Sequence, residues 1–197
     1  YVTVLDASGN NTAGAAYMDA MYAWVGDGNG WAGWMFGGSD NPGARSTVSR
    51  IDYSNDTATA TAKGPLSVAR YGMGATGNAS FGYFGGGLDS DDDEVATMDK
   101  LSYSSDTTAA VPGAALSLAR NALAATGNST AGYFGGGDNG PSYVTTMDKV
   151  TYASDTTAAV PGAALSAARY GLAASSSRAN ALPQPPPPTP TPGPSIV

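Results

Sequence analysis

The 197-residue sequence contains no cysteine and no histidine. Without cysteine there is neither a disulfide framework nor a thiolate metal site, and cysteine usage says nothing about the redox compartment. Without histidine the chain lacks the commonest general base and both the Ser-His-Asp and the Cys-His nucleophile systems. The two absences together remove the usual zinc ligands. We therefore expect a protein that is not an enzyme.

Charged residues are also scarce, at 13% of the chain, and the 16 acidic residues outnumber the 9 basic ones. A surface with that sign of charge repels phosphate backbones and anionic lipid, so we predict no nucleic-acid partner and no membrane insertion. No apolar run approaches the roughly 20 residues that span a bilayer, and no signal peptide is recognisable. Because the chain begins at Tyr1 rather than Met, we expect a processed or partial product whose upstream sequence is missing.

Glycine, in contrast, is abundant and occurs in a repeated phrase. Gly-Tyr-Phe-Gly-Gly-Gly stands at residues 82–87 and again at 132–137, and a weaker form, Trp-Met-Phe-Gly-Gly, stands at 34–38. Aromatic residues followed directly by glycine predict a strand that ends where the backbone turns tightly or takes a positive φ. Three copies at a fixed interval predict a repeat architecture.

Three further sets of residues recur at intervals of 49 or 50 residues, namely Tyr53, Tyr103 and Tyr152; Arg70, Arg120 and Arg169; and Asp56, Asp106 and Asp155, each followed by Thr. Within the clearest unit, residues 71–120, the pattern predicts four strands. The first covers 71–76, the second ends in Gly85-Gly86, and the third and fourth cover 97–103 and 107–111. Gly-Asn and Ser-Asp turns between short β-prone runs are hairpin signals. Each unit is therefore predicted to be a four-stranded antiparallel meander in an all-β fold.

The predicted repeat domain covers residues 1–182, with units at about 21–70, 71–120 and 121–169 and a partial unit at 170–182. Further strands are predicted at 1–6 and near 21–25. The composition then changes to a Pro-rich tail at 183–197. Proline cannot pair within a sheet, so this tail is predicted to be an extended polyproline II spacer or an arm on a neighbouring subunit.

A four-stranded meander of about 50 residues has the size of one β-propeller blade. The order of its parts, an arginine, a strand, an aromatic-Gly-Gly, a variable loop, and a tyrosine shortly before a threonine, resembles the kelch motif over about residues 20–175. Kelch units usually carry a tryptophan after that tyrosine and turn, where this chain has Ala109-Ala110-Val111 and Ala159-Val160. The phrases at residues 50–60, 64–72 and 125–129 are similar to kelch-like repeat proteins of marine bacteriophages, particularly those of cyanobacteria. This resemblance implies kelch-like blades and a virion structural or tail-fibre component.

Three and a half units are fewer than the four to eight blades of a typical closed propeller. Three ways of closing the ring are open at this stage. The strand at residues 1–6 joins the one at 170–175, or blades are missing upstream, or copies of the chain assemble. Unclosed sheet edges would promote pairing between chains.

One loop has a dense cluster of acidic residues, in which Asp89, Asp91 and Asp93 alternate like the first half of an EF-hand loop, whose oxygen ligands suit Ca²⁺. The second half departs from that pattern, with Glu94 where the motif has Gly and Lys100 where it has Glu. Two interpretations are open, an irregular calcium site and a solvated acidic loop. We predict no other cofactor.

The recurrent charged residues are predicted to have structural roles. One arginine per unit favours bonds to carboxylates or carbonyls between blades. The recurrent aspartates are interpreted as turn formers that bond their own backbone. The tryptophans Trp24, Trp31 and Trp34 have two interpretations, core or subunit packing and sugar stacking.

The loops after the glycine runs, at residues 39–46, 88–96 and 138–145, vary while the strands do not. Diversity confined to loops at one rim of a scaffold is typical of a recognition surface. The residues predicted to make these contacts are Asp40, Asn41, Arg45, Asp92, Asn139 and Tyr143.

The function expected from these features is that of a non-enzymatic virion component, a homo-oligomeric tail-fibre, appendage or capsid-surface protein. Its loops would contact other virion proteins or a host-surface glycan. One alternative is a self-assembling extracellular filament or sheath protein, with open edges and the Pro-rich tail as assembly devices. A third hypothesis is a carbohydrate-active propeller with a carboxylate pair such as Asp52 and Asp99.

Overall fold

A computed structural model of the chain describes residues 32–40, 43–52 and 59–176. The strands expected at 1–6 and 21–25, the Pro-rich tail, Trp24 and Trp31, the loop residue Asn41, and the repeat residues Tyr53 and Asp56 lie outside these ranges. The described residues form four antiparallel sheets of two to four strands each, so the all-β expectation is confirmed. None of these sheets closes on itself within the described part of the chain.

The described part of the first unit, hereafter unit 1, contains a three-stranded sheet and a small hairpin. Its strands in chain order are β1 (Ala32–Phe36), β2 (Ser39–Asp40), β3 (Gly43–Ala44), β4 (Val48–Asp52) and β5 (Thr61–Lys63). The sheet has the order β1-β4-β5, and β2 pairs with β3. Part of the variable loop at 39–46 is therefore a short hairpin, in which Ser39 pairs with Ala44 and Asp40 pairs with Gly43.

Units 2 and 3 each form a four-stranded antiparallel meander, as the sequence predicts. Unit 2 consists of β6 (Gly74–Gly77), β7 (Phe81–Gly85), β8 (Met98–Ser102) and β9 (Thr107–Ala110). Unit 3 consists of β10 (Ala124–Gly127), β11 (Ala131–Gly135), β12 (Met147–Thr151) and β13 (Thr156–Ala159). A short 3-10 helix follows each last strand, at Pro112–Ala114 and Pro161–Ala163.

Local chemistry explains the first hairpin of each unit. The Asn78 side chain accepts hydrogen bonds from the backbone N–H groups of Ser80 and Phe81, at 2.9 and 3.0 Å. Asn128 does the same in unit 3. An asparagine that bonds the backbone two and three residues ahead closes a turn without help from the rest of the fold.

The hydrophobic core lies between successive units. One cluster joins Trp34 and Val48 of unit 1 to Phe84 and Leu101 of unit 2. A second cluster joins residues of unit 2 to residues of unit 3, namely Tyr83, Met98, Leu116, Phe134, Val150 and Tyr152. Adjacent sheets therefore bury their facing sides against each other, which makes the repeats mutually dependent for stability.

The structure corrects the strand boundaries in three places. The first strand of unit 2 begins at Gly74, and Tyr71 makes only an isolated bridge to Leu88. The fourth strand ends at Ala110, because Pro112 has no N–H to donate and begins a 3-10 helix. The predicted strand at 170–175 does not form within the described residues, where no second strand is present for it to pair with.

Candidate functional site

Buried arginines connect each unit to the next. Arg70 ends unit 1, is fully buried, and places Nη1 2.8 Å from Asp99 Oδ2 on β8 of unit 2. Its Nη2 donates to the carbonyl oxygen of Phe84 at 3.1 Å. Burial lowers the pKa of the Arg70 guanidinium, and the charge of Asp99 opposes that shift. The guanidinium is thus held between two units by a carboxylate and a carbonyl.

The same contact recurs between units 2 and 3. Arg120 Nη1 donates to Asp148 Oδ2 at 2.9 Å, and both side chains are fully buried. Asp148 also accepts a hydrogen bond from the backbone N–H of Ser117. The predicted structural role of the recurrent arginine is therefore confirmed for Arg70 and Arg120.

The recurrent aspartates of the Asp-Thr turns also bind across the units. Asp155 of unit 3 accepts hydrogen bonds from the Tyr83 hydroxyl, at 2.5 Å, and from Lys100 Nζ, at 2.8 Å. Asp106 of unit 2 accepts a hydrogen bond from Trp34 Nε1 and forms an ion pair with Lys63, both at 2.9 Å. The expectation that these carboxylates bond their own backbone is wrong, although both residues have the positive φ of turn residues.

Stacked aromatic rings complete both contacts between units. Trp34 stacks on Tyr103 and Tyr83 stacks on Tyr152, each with ring centroids 4.8 Å apart. Burial raises the pKa of Tyr83, as does its hydrogen bond to Asp155, and burial raises the pKa of Tyr152 to about 12. Tyr83 and Trp34 are core residues, so Trp34 is not available for sugar stacking.

Acid should weaken the contact between units 2 and 3. Burial favours the neutral form of Asp155, but its bonds to Lys100 and Tyr83 outweigh that effect and lower its pKa. A lowered pKa stabilises the fold above the unfolded value near 3.9, and this contribution is lost as pH falls through the folded value. We expect Asp155→Asn to cost about 1 kcal/mol of unfolding free energy at pH 7, since Asp155 is about one-third exposed.

The measurement is urea unfolding of wild type and Asp155→Asn from pH 7 down to pH 3. The difference between the two proteins should shrink as the pH falls. A difference that stays constant over this range would show that the charge of Asp155 contributes nothing.

The acidic loop folds around its own backbone. Asp89 Oδ1 accepts hydrogen bonds from the N–H groups of Asp91, at 2.9 Å, and Asp93, at 3.1 Å. Asp92 has a φ of +63° and accepts the hydroxyl of Tyr71. Within residues 32–40, 43–52 and 59–176, no group of three or more acidic side chains is arranged to hold a metal ion. Calcium binding by Asp89, Asp91 and Asp93 stays a prediction.

The variable loops of units 2 and 3 lie next to each other. Asn121, at the start of unit 3, donates to Glu94 in the loop of unit 2 at 3.2 Å and bridges to Asp138 in the loop of unit 3. Gly140 lies against the Glu94 carboxylate. A Cβ atom at Gly140 would be 3.1 Å from Glu94 Oε2. These two loops therefore form one continuous surface.

The residues predicted for recognition occupy different local settings. Asp40 and Arg45 form an exposed ion pair at 2.7 Å across the first loop. Asn139 accepts the backbone N–H of Ser142 within the third loop. Tyr143 is 48% exposed and stacks on Tyr170, which is 54% exposed, with centroids 4.4 Å apart. This tyrosine pair is the largest exposed aromatic feature in the described part of the chain.

The carboxylate pair of the glycosidase hypothesis is not presented to a substrate. Asp99 is fully buried in its contact with Arg70, whereas Asp52 ends β4 of unit 1 on the surface.

In the described residues no helix has the length and apolarity needed to cross a membrane.

Two features went unrecognised in the sequence. Asp99 and Asp148 follow Arg70 and Arg120 by 29 and 28 residues, within a repeated Met-Asp-Lys, and this spacing was the available signal for the ion pair. Tyr170 as the partner of Tyr143 had no comparable signal, because 27 residues separate them and only the tertiary fold brings them together.

No family model matches this chain, and no curated protein matches it.

Proposed function

We propose that this chain is a non-enzymatic structural component of a virus particle, such as a tail fibre, an appendage or a capsid-surface protein. Its repeated meanders are kelch-like propeller blades, and its variable loops contact other virion proteins or a host-surface glycan. The observation that carries the proposal is the separation of a repeated framework from a continuous, variable loop surface.

The framework uses its charged side chains for contacts between units. Arg70, Arg120, Asp99 and Asp148 are fully buried in such contacts, and Lys100 is bonded to the next unit. Side chains committed in this way are not available to a partner. Chemistry that distinguishes this protein from others of the same architecture is therefore left to the loops.

The exposed stack of Tyr143 on Tyr170 is the best candidate contact within this loop surface. Aromatic rings combine a large apolar face with a polar hydroxyl and are enriched at protein interfaces. The third loop contributes the amide of Asn139, and the carboxylate of Glu94 in the second loop lies against Gly140 of the third. An aromatic platform beside hydrogen-bonding groups suits a sugar ring or a polar protein surface.

The first test is the composition of purified particles. We expect the chain at a stoichiometric copy number relative to the other structural proteins, measured by quantitative mass spectrometry. Absence from such particles would contradict the virion role.

The second test addresses the loop surface by itself. Tyr143→Ala should weaken binding to host cells or to a glycan array by about tenfold, the usual size of an interface aromatic effect. Val68→Ala removes a side chain of similar exposure outside the loops and serves as the control. Equal binding by both variants would remove Tyr143 from the contact.

A self-assembling extracellular filament or sheath protein is the second candidate. It is favoured by one observation, the exposure of Arg169 at the position where Arg70 and Arg120 are buried. Electron microscopy of the isolated protein distinguishes the two, because long fibres favour the filament, whereas discrete particles or closed rings favour the virion component.

A further inference from the structure

The backbone at the end of unit 3 is held as it is at the ends of units 1 and 2. The N–H of Leu165 bonds the oxygen of Thr145 at 2.9 Å, and Leu116 and Leu66 make the same bond at 2.9 and 2.8 Å. The carbonyl of Arg169 accepts the N–H of Gly137 at 2.9 Å, as those of Arg120 and Arg70 do at the preceding units. Residues 165–169 are therefore fixed in the geometry that elsewhere leads to a following unit.

The side chains of this segment, however, lack the partners that their equivalents have. Arg169 is exposed and Leu165 is half-exposed, whereas Arg120 and Leu116 are 0% and 5% exposed. Tyr133 is half-buried, although its equivalent in unit 2, Tyr83, is fully buried. Lys149, the equivalent of Lys100, has no acidic partner among the described residues. We call Tyr133, Lys149, Leu165 and Arg169 the C-terminal face.

The opposite side of unit 1 presents the other half of the same contact. In unit 1, Met35 lies opposite Ser49 on the neighbouring strand. At the equivalent positions of units 2 and 3, Phe84 lies opposite Asp99 and Phe134 lies opposite Asp148. Both phenylalanines are fully buried against the preceding unit, but Met35 is 44% exposed.

Ile51 of β4 is likewise half-exposed where Leu101 and Val150 are fully buried. We call Met35, Ser49 and Ile51 the N-terminal face.

We propose that the C-terminal face docks the N-terminal face of a second copy of this chain. The two exposed faces repeat the contact that the chain already makes twice internally, between units 1 and 2 and between units 2 and 3. Such a head-to-tail contact is heterologous, so it closes into a ring or continues into a filament. The inference does not depend on a viral origin.

The apolar part of the contact follows the internal pattern. Leu165, Leu172 and Met147 surround Gly135 and Gly136 as their equivalents surround Gly85 and Gly86 in unit 2. In the internal contact that site receives Phe134. Met35 of the second copy would enter the corresponding site beside Leu165.

The charged part is weaker than the internal one, and the sequence shows why. Unit 1 has Ser49 at the position of Asp99, so the carboxylate of the ion pair is missing there. Ser49 offers Arg169 a hydroxyl acceptor in place of a carboxylate.

The test uses the full chain and two variants that each disable one face. Met35→Asp and Leu165→Asp both place a charge in the contact, and each variant alone should remain monomeric in sedimentation velocity, whereas wild type associates as concentration rises. Mixing the two leaves one intact face on each protein, and the mixture should stop at a heterodimer. Circular dichroism checks that both variants remain folded.

A second pair of variants tests the register. Ser49→Asp supplies the carboxylate that Arg169 lacks and should tighten association by about tenfold, the size expected of a hydrogen bond between charged groups. Arg169→Glu should weaken it by a similar factor, while Arg45→Glu, the same charge change in the first loop, should have no effect.

Three outcomes would overturn the proposal. These are wild-type association in either single-face variant, a mixture that stays monomeric, and a wild-type chain that is monomeric at every concentration. If wild type stays monomeric but binds added Ser49→Asp protein, the partner of the C-terminal face is instead a unit that has aspartate at the position of Ser49.

Discussion

Replacing Asp148 with alanine is expected to lower the free energy of unfolding by about 3–5 kcal/mol, because it leaves the Arg120 guanidinium buried without its carboxylate. Both side chains are fully buried, and their atoms Nη1 and Oδ2 are 2.9 Å apart. The substitution also removes the acceptor of the Ser117 N–H. Urea or guanidinium unfolding, followed by far-UV circular dichroism, measures the loss.

Two controls show whether the loss comes from the unpaired charge. Removing both partners, as Arg120→Met with Asp148→Leu, should recover most of the stability, since a buried ion pair is often no better than an apolar pair of similar volume. Asp40→Ala breaks the exposed pair with Arg45 and should change stability by less than about 1 kcal/mol. A double variant as unstable as Asp148→Ala would contradict this explanation and point to lost packing.

Gly86→Ala is expected to cost about 3 kcal/mol, because two penalties coincide at this residue. Its φ is +75°, a conformation that disfavours side chains, and a Cβ would lie 2.5 Å from the carbonyl oxygen of Arg120. That carbonyl accepts the N–H of Gly87, so it cannot move without loosening the contact between units 2 and 3. Thermal or chemical unfolding of the variant measures the sum.

Gly171→Ala separates the two penalties. Gly171 has a similar φ of +64°, but no atom lies within 4 Å of the position of its Cβ. Its substitution should cost only about 1 kcal/mol, the conformational part alone. Equal losses at Gly86 and Gly171 would mean that the close approach to Arg120 carries no energetic weight.

The hairpins of units 2 and 3 could be predicted because their signals are local. Asn78 and Asn128 close turns with bonds to residues two and three positions ahead, and the alternation of the flanking strands needs no distant partner. Strand ends were less predictable. Tyr71 looks like a strand residue, but its backbone makes only an isolated bridge to Leu88, and that pairing depends on where the loop after β7 returns.

Which charged residues form contacts between units could be predicted only in part. Recurrence alone indicated that Arg70 and Arg120 hold units together, because a ligand site would not be expected in every repeat. The same recurrence in Asp106 and Asp155 was interpreted as local turn chemistry, which is wrong, since their carboxylates reach Trp34, Lys63, Tyr83 and Lys100 in the preceding unit. A turn residue with a positive φ has the same sequence signal whichever way its side chain points.

The sequence by itself determined the all-β class, the period of about 50 residues and the meander of units 2 and 3, because each rests on turns and alternation within a few residues. Only the tertiary structure decided which residues meet between units, that Asp99 and Asp148 are buried with the arginines, and that the equivalent Arg169 is exposed. Contacts between units join residues as far as 76 positions apart, and their formation depends on how the sheets stack. For the same reason, the C-terminal face can be recognised only by comparison with the buried contacts between units 1 and 2 and between units 2 and 3.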